Sequence, residues 1–244
     1  MTFGKMKAKE CDINIIDFHA HVLPGADHGS DSLETSLLQL DLAAKSGVKR
    51  VIATPHFYPD KHSVADFLDL RNRAFSSLVG AMKEAHPLLS LGAEVLICDG
   101  IERIGGLSEL CVAGTNVILL ELPFTIFNPS YADSVFRLTR DGFCVVLAHV
   151  DRYPRENIEI MCEAGARMQV NADALGGIFV PRHVKEWLSD GRIIALGSDI
   201  HREDRGAYKR FEKAKNRILK YGYEGAFVDF SRFLEAEIKE KQGV

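Results

Sequence analysis

A chain of 244 residues, 46% hydrophobic and 26% charged, is long enough for one sizeable α/β domain and has an ordinary globular composition. Its formal charge of -4 gives no basic footprint for nucleic acid and little attraction to an anionic membrane. The five cysteines (Cys11, Cys98, Cys111, Cys144, Cys162) contain no C-x-x-C pair, which favours a reduced, cytoplasmic chain over a disulfide framework. The opening MTFGKMKAKECD lacks the apolar stretch of a signal peptide, and no apolar run reaches the ~20 residues of a membrane helix.

In chain order, residues 13–18 (INIIDF) read as a strand that ends in His19 and His21, with Asp27 in the loop after Pro24-Gly25. Segment 32–46 spaces Leu33, Leu37, Leu40 and Ala44 at helical intervals, between Asp31 and Ser32 as caps and Gly47 as a stop. A strand at 50–55 (RVIATP) delivers His56 behind a proline that suits a strand exit. A helix follows at 64–85, with Phe67, Leu70, Phe75, Leu78 and Met82 as a core-facing stripe. Strand 89–95 carries Glu94, and strand 116–122 (NVILLEL) carries Glu121. After a helix at 130–140, strand 144–148 ends in His149. A helix at 156–164, a strand at 167–172 and a helix at 181–190 lead to strand 193–198, which ends in Asp199 and then His201. Residues 206–240 read as two helices broken near Gly222 and Tyr223. This alternation implies a parallel sheet with helical cover, and without repeat or linker the chain reads as one domain over 1–244.

The polar residues keep a phase. Parallel strands put an active site at their carboxyl ends, where His19, His21, Asp27, His56, Glu94, Glu121, His149, Asp199 and His201 all fall. Singly, each has a plainer reading. The H-x-H pair could be incidental, and Glu94 or Glu121 could face a buried arginine instead of a metal. Jointly, these nine side chains of mixed nitrogen and oxygen character describe a metal site able to hold more than one ion. Such a mixture suits Mn, Fe or Zn better than Mg or Ca. His28 adjoins Asp27 at the edge of this set, and His62, His86 and His183 read as solvated.

The stretches DFHAHVLPGADHGS (17–30), ATPHFYP (53–59), LGAEV (91–95), ELPF (121–124), AHVDRY (148–153), QVNADAL (169–175) and GSDIH (197–201) resemble the polymerase and histidinol phosphatase (PHP) superfamily. Within it, the chain resembles the bacterial manganese-dependent protein-tyrosine phosphatases of capsule and exopolysaccharide operons. The resemblance implies a distorted (β/α)7 TIM-like barrel with a three-metal cluster. By motif position His19, His21, Glu94 and Asp199 would hold one ion, Glu94, Glu121 and His149 a second, and Asp27, His56 and His201 a third. The family's D-D-G is Asp27-His28-Gly29 here, and its H-P-E-R-Y is His149-Val150-Asp151-Arg152-Tyr153.

Mn2+ would be the expected ion, with Fe or Zn as substitutes, and a metal-activated hydroxide the nucleophile for phosphotyrosine. Arg152, three residues past His149, is placed to clamp phosphate with its planar fork, and by resemblance Arg205 is a second candidate. The expected substrate is a phosphotyrosine protein, such as the tyrosine-rich tail of a kinase of polysaccharide assembly. A small-molecule phosphoesterase of histidinol-phosphate type, or a non-catalytic regulatory module, is the competing reading. A cysteine-based phosphatase is disfavoured, because no cysteine begins the C-x5-R phosphate cradle; Cys98 and Cys162 each have an arginine one position too early.

Overall fold

A computed structural model describes residues 16–242 apart from 125 and 178; the expected strand residues 13–15, Cys11 and the opening segment lie outside the described residues. Parallel strands alternate with helices: β1 (Ile16–Ala20), α1 (Leu33–Lys45), β2 (Arg50–Ala53), β3 (His56–Phe57), α2 (Val64–Ala81), β4 (Leu88–Leu91), β5 (Glu94–Leu96), β6 (Val117–Glu121) and α3 (Ser130–Arg140). The second half continues with β7 (Cys144–Leu147), α4 (Arg155–Glu163), β8 (Arg167–Asn171), α5 (Ala172–Gly176), α6 (Arg182–Ser189), β9 (Ile193–Gly197), α7 (Ala207–Tyr221) and α8 (Glu224–Gln242).

Two of the expected strands are each cut in two, which divides the ladder into sheets of order β1-β2-β4 and β3-β5-β6-β7-β8-β9. The cuts have local causes. Pro55 has no N–H to offer between β2 and β3, and Gly92 passes so close to Ile52 that a Cβ there would lie 3.3 Å from its methyl. Backbone bonds still bridge the gap, from Gly92 N–H to Ala53 O (2.8 Å) and from Glu94 N–H to Pro55 O (3.0 Å). On the other side, Asp199 N–H donates to His19 O (2.8 Å) and His21 N–H to Ile200 O (3.2 Å), so the exit of β9 is tied to β1 and the strands form a distorted seven-fold ring.

Inside this ring, Val117 and Leu119 share a strand face with Glu121, two residues apart along β6. They pack with Phe18, Ile52, Val146, Ala148 and Ala195, and α8 closes that cluster with Phe230 and Leu234. The alternate residues Ile118, Leu120, Leu147 and Met168 face outward into the larger cluster with Leu40, Leu78, Trp187 and Phe211. Apolar residues on both faces explain why these strands read as continuous hydrophobic runs.

Helix α1 begins as expected, with Ser32 accepting from Thr35 N–H at 3.1 Å, and Gly47 leaves it in the left-handed region at φ 76°. Helix α2 is shorter than the expected 64–85. Met82 is extended, and the chain turns through Lys83–His86 ahead of Pro87, which disfavours helix at the residue before it. Its buried face is Phe67, Arg71, Ala74 and Leu78, while Leu70 is partly exposed. His86, expected to be solvated, is instead buried, with Nε2 2.9 Å from Asp41 Oδ1 and Nδ1 accepting from Lys83 N–H. Cys98, Cys144 and Cys162 are free thiols. Among the described residues, no helix is long and apolar enough to cross a membrane.

Candidate metal centre

Six strands contribute donors to one rim. β1 gives His19 and, one step beyond, His21; β3 begins with His56, whose Cα pairs in register with Glu94 of β5. Glu121 ends β6, and His149 and Asp199 follow β7 and β9. His149 and Asp199 have positive φ, 32° and 50°. Left-handed backbone is uncommon outside glycine and concentrates at functional sites, where surrounding structure holds it.

Donor atoms crowd together at the rim. His19 Nε2 lies 3.0 Å from His21 Nε2, and both nitrogens are 3.3 Å from Glu94 Oε2. Asp199 Oδ1 is 3.6 Å from the first and 3.4 Å from the second. His149 Nε2 is 2.8 Å from Glu94 Oε1 and 3.6 Å from Glu121 Oε1, while His56 Nδ1 is 2.9 Å from Glu94 Oε2. Three sets of side chains could each hold a metal ion: His19, His21 and Glu94; His56, Glu94 and Glu121; and His21, His56 and His201.

Two expected positions differ from this grouping. Asp27 is in none of these three sets. Its Oδ2 lies 2.6 Å from His21 Nδ1 and accepts from His56 N–H (3.0 Å), and its Oδ1 accepts from Gly29 N–H (2.7 Å). It therefore orients His21 from behind, and His21 takes its place beside His56 and His201. Arg205 is exposed and lies 3.5 Å from Glu203. Arg152 is at the rim: its Nη2 is 2.6 Å from Asp199 Oδ2, and its side chain remains 44% exposed, so the fork still reaches solvent.

Electrostatics keep Glu94 and Asp199 ionised. Burial raises the pKa of Glu94, yet His19 and the hydrogen bond from His149 hold it well below the usual range. Asp199 is likewise buried, and His19 and His21 hold it low. Burial depresses His149, but Glu121 and Glu94 outweigh it and lift its pKa to about 9. His201 goes the other way, down to about 4, through burial and the neighbouring His21.

A cation fits this donor set better than protons do. The buried His56 Nδ1, Glu94 Oε2, His149 Nδ1 and His201 Nε2 make no hydrogen bond although they sit among polar atoms. Buried polar groups are normally paired, and a shared cation would satisfy those aimed into the cluster. Cys98, Cys144 and Cys162 are poor candidates for a nucleophile, since burial pushes each above the ordinary thiol range.

Several residues of the site were not among the expected ligands. Gln169 and Asn171 are buried on β8, and Asn171 Nδ2 donates to Asp199 Oδ2 at 2.9 Å. Asp17, fully buried, accepts from Ser198 N–H and from Tyr208 OH, each at 2.8 Å, and so anchors α7 to the β1–β9 junction. His28 stacks on His56, centroids 4.7 Å apart. The signal for Gln169 and Asn171 was a polar residue at every second position of an otherwise apolar strand.

A parallel α/β ring with a histidine and carboxylate cluster at its carboxyl rim defines the class of protein. The model of the CpsB/CapC family of capsular polysaccharide synthesis matches residues 15–227, and the chain belongs to that family. Tyrosine-protein phosphatase YwqE of Bacillus subtilis is 32% identical over 68% of this chain and 67% of its own. Tyrosine-protein phosphatase CpsB of Streptococcus agalactiae serotype V is 20% identical over 78% of this chain and 84% of its own. The fold matches a crystal structure from work on YwqE of B. subtilis and CpsB of Streptococcus pneumoniae, described as metal-dependent tyrosine phosphatases. The TM-score is 0.74 at 22% identity, over 92% of this chain and 94% of that one. A more distant fold match is a β-aspartyl dipeptidase of Fervidobacterium islandicum AW-1, with a TM-score of 0.54.

Proposed function

We propose that this chain is a metal-dependent protein-tyrosine phosphatase acting on a phosphotyrosine protein of polysaccharide synthesis, such as the tyrosine-rich tail of a kinase, in the cytoplasm. The observation that carries this reading is the facing pair His19 Nε2 and His21 Nε2, 3.0 Å apart with Glu94 and Asp199 beside them. Two imidazole nitrogens so placed, with carboxylates beside them, suit a shared cation. In this reading His19, His21, Glu94 and Asp199 would hold one ion, and Glu94, Glu121 and His149 a second. Asp27, His56 and His201 would hold a third.

Mixed imidazole and carboxylate ligands favour manganese, with iron or zinc able to substitute. Bound divalent ions would supply Lewis acidity and lower the pKa of water enough for attack on phosphorus. The remaining work falls to side chains. Arg152 presents a planar donor fork beside Asp199, suited to the peripheral oxygens of a phosphate and most useful as their charge redistributes during attack. Phe124, 63% exposed, lies over His149 and Tyr153 with centroids 5.8 and 5.4 Å away, a platform for an aromatic ring next to the cluster. Tyr153 is fixed beneath it by donating to Leu122 O at 2.8 Å. As the phosphorus–oxygen bond breaks, the tyrosyl oxygen leaves as a phenolate whose conjugate acid has a pKa near ~10, so little protonation is required.

The test compares a phosphotyrosine peptide with histidinol phosphate as substrates of the metal-loaded chain. Higher kcat/KM on the peptide is expected, and higher kcat/KM on histidinol phosphate would overturn the assignment.

A further inference from the structure

Strand β8 places Met168 and Val170 in the outer apolar core, and Gln169 and Asn171 on the opposite face. Both polar side chains are withdrawn from water, at 0% and 2% exposure, so each must find its partners within the protein. Gln169 Oε1 accepts from the backbone N–H of His149 at 2.7 Å and lies 3.2 Å from His19 Nδ1. Gln169 Nε2 donates to Asn171 Oδ1 at 3.0 Å, and Asn171 Nδ2 donates to Asp199 Oδ2 at 2.9 Å.

The direction of this chain of bonds is fixed independently at its two ends. A backbone N–H can only donate, so the amide atom of Gln169 facing His149 must be the oxygen. An ionised carboxylate can only accept, so the amide atom of Asn171 facing Asp199 must be the nitrogen. The two assignments meet consistently between Gln169 Nε2 and Asn171 Oδ1. It follows that the atom of Gln169 shared with His19 is an acceptor, and that His19 Nδ1 carries a proton. Its Nε2, the nitrogen turned to the cluster, is then left with a free lone pair. The neighbouring backbone preserves the arrangement: a Cβ on Gly197 would fall 2.6 Å from Gln169 Nε2 and 2.6 Å from His19 Cβ, so only glycine leaves room for the amide.

We infer that Gln169 is a positioning residue that holds His19 in its Nδ1–H tautomer, ready to bind metal through Nε2, and that through Asn171 it sets the orientation of Asp199. This rests on the reading of the rim as a metal centre. One buried amide thereby couples the exits of β1, β7 and β9. Partners of this kind commonly change metal affinity by about 10–100-fold when removed.

The experiment uses the full chain. In the zinc-loaded, diamagnetic protein labelled with 15N-histidine, long-range proton–nitrogen spectra report the tautomer of His19, identified by comparison with His19→Ala. Protonated Nδ1 with metal-bound Nε2 is expected, and protonated Nε2 overturns the inference. Calorimetric manganese titrations of the chelator-stripped protein give the second readout. Gln169→Leu, which removes all three bonds, should bind about 10–100-fold more weakly. Gln169→Glu keeps the acceptor for His19 and should bind more tightly than Gln169→Leu. Unchanged affinity in Gln169→Leu overturns the inference, and if that variant does not fold, the wild-type tautomer decides alone. Failure of the wild type to bind either metal would instead sink the metal-centre reading itself.

Discussion

His19 and Arg152 both touch the carboxylates of the rim, yet their removal should have different consequences. Substituting His19 or His21 by Ala deletes a nitrogen from the closest donor set, and each variant should lose metal and phosphatase activity while its circular dichroism stays native. Near-normal turnover with full metal content would contradict the ligand role. Arg152 cannot itself serve as a metal ligand, and its pairing with Asp199 occupies an oxygen that a cation could use. Arg152→Ala should therefore retain metal and lower kcat/KM on the order of 10²-fold, with Arg152→Lys recovering part because a point charge replaces a fork. Metal analysis alongside peptide kinetics separates the two roles; loss of metal, or unchanged kcat/KM, would exclude the phosphate clamp. Phe124→Ala should lower kcat/KM for aryl phosphates by about 10-fold, the scale of one aromatic contact, and leave alkyl phosphates little changed. An equal loss on both classes would remove the ring-platform role.

Much of the rim is legible because each donor interrupts an apolar run at the same end of its strand. Asp27 is less so: its direction depends on the N–H groups of Gly29 and His56, which no periodicity encodes. Gln169 is neutral and belongs to no ligand pattern, so only its place between Met168 and Val170 marks it as buried.

Among the elements, α4, α6 and the turn into β9 are tied through Glu159. It accepts from Trp187 Nε1 at 2.8 Å and from both terminal nitrogens of Arg192, at 3.1 and 2.6 Å. The Arg192 hydrogen bond, opposed by burial and aided by Trp187, brings its pKa from the ordinary 4.5 down to about 2. The folded state thus holds this proton less tightly than the unfolded chain. The stabilisation is fully present above pH 4.5 and disappears as pH falls through about 2. Glu159→Gln should cost on the order of 1–2 kcal/mol at pH 7, measured by urea unfolding, and the gap to wild type should narrow below pH 4.5. A gap independent of pH would show that the charge is not what Glu159 contributes. Strand positions follow from hydrophobic runs, but the splitting of two of them does not. It arises where Pro55 withholds a donor and Gly92 lets two strands approach, both consequences of packing between residues distant in sequence. The end of α2 is similar, since the apolar spacing continues to Met82 while Pro87 has already claimed the turn.

For the molecule as a whole, the rim draws donors from β1, β3, β5 and β6 and from the exits of β7 and β9, so a bound cation would join strands from both sheets. A ligand that binds only the folded state at 100 times its dissociation constant stabilises by about 2.7 kcal/mol. For a chain of this size that corresponds to a rise in Tm of roughly 5–10 °C, removable by chelator. A melting temperature indifferent to metal would argue that the cluster is structural polar packing.

Loaded with metal, this rim is expected to hydrolyse phosphotyrosine without a cysteine nucleophile. The most direct test is turnover of a phosphotyrosine peptide by protein that has been thiol-alkylated and then stripped by chelator, with Mn, Fe, Zn and Mg added back separately. Activity should be absent in the stripped protein and return with manganese despite alkylation. Turnover that persists without metal, or that alkylation abolishes while the metals remain bound, would contradict the account.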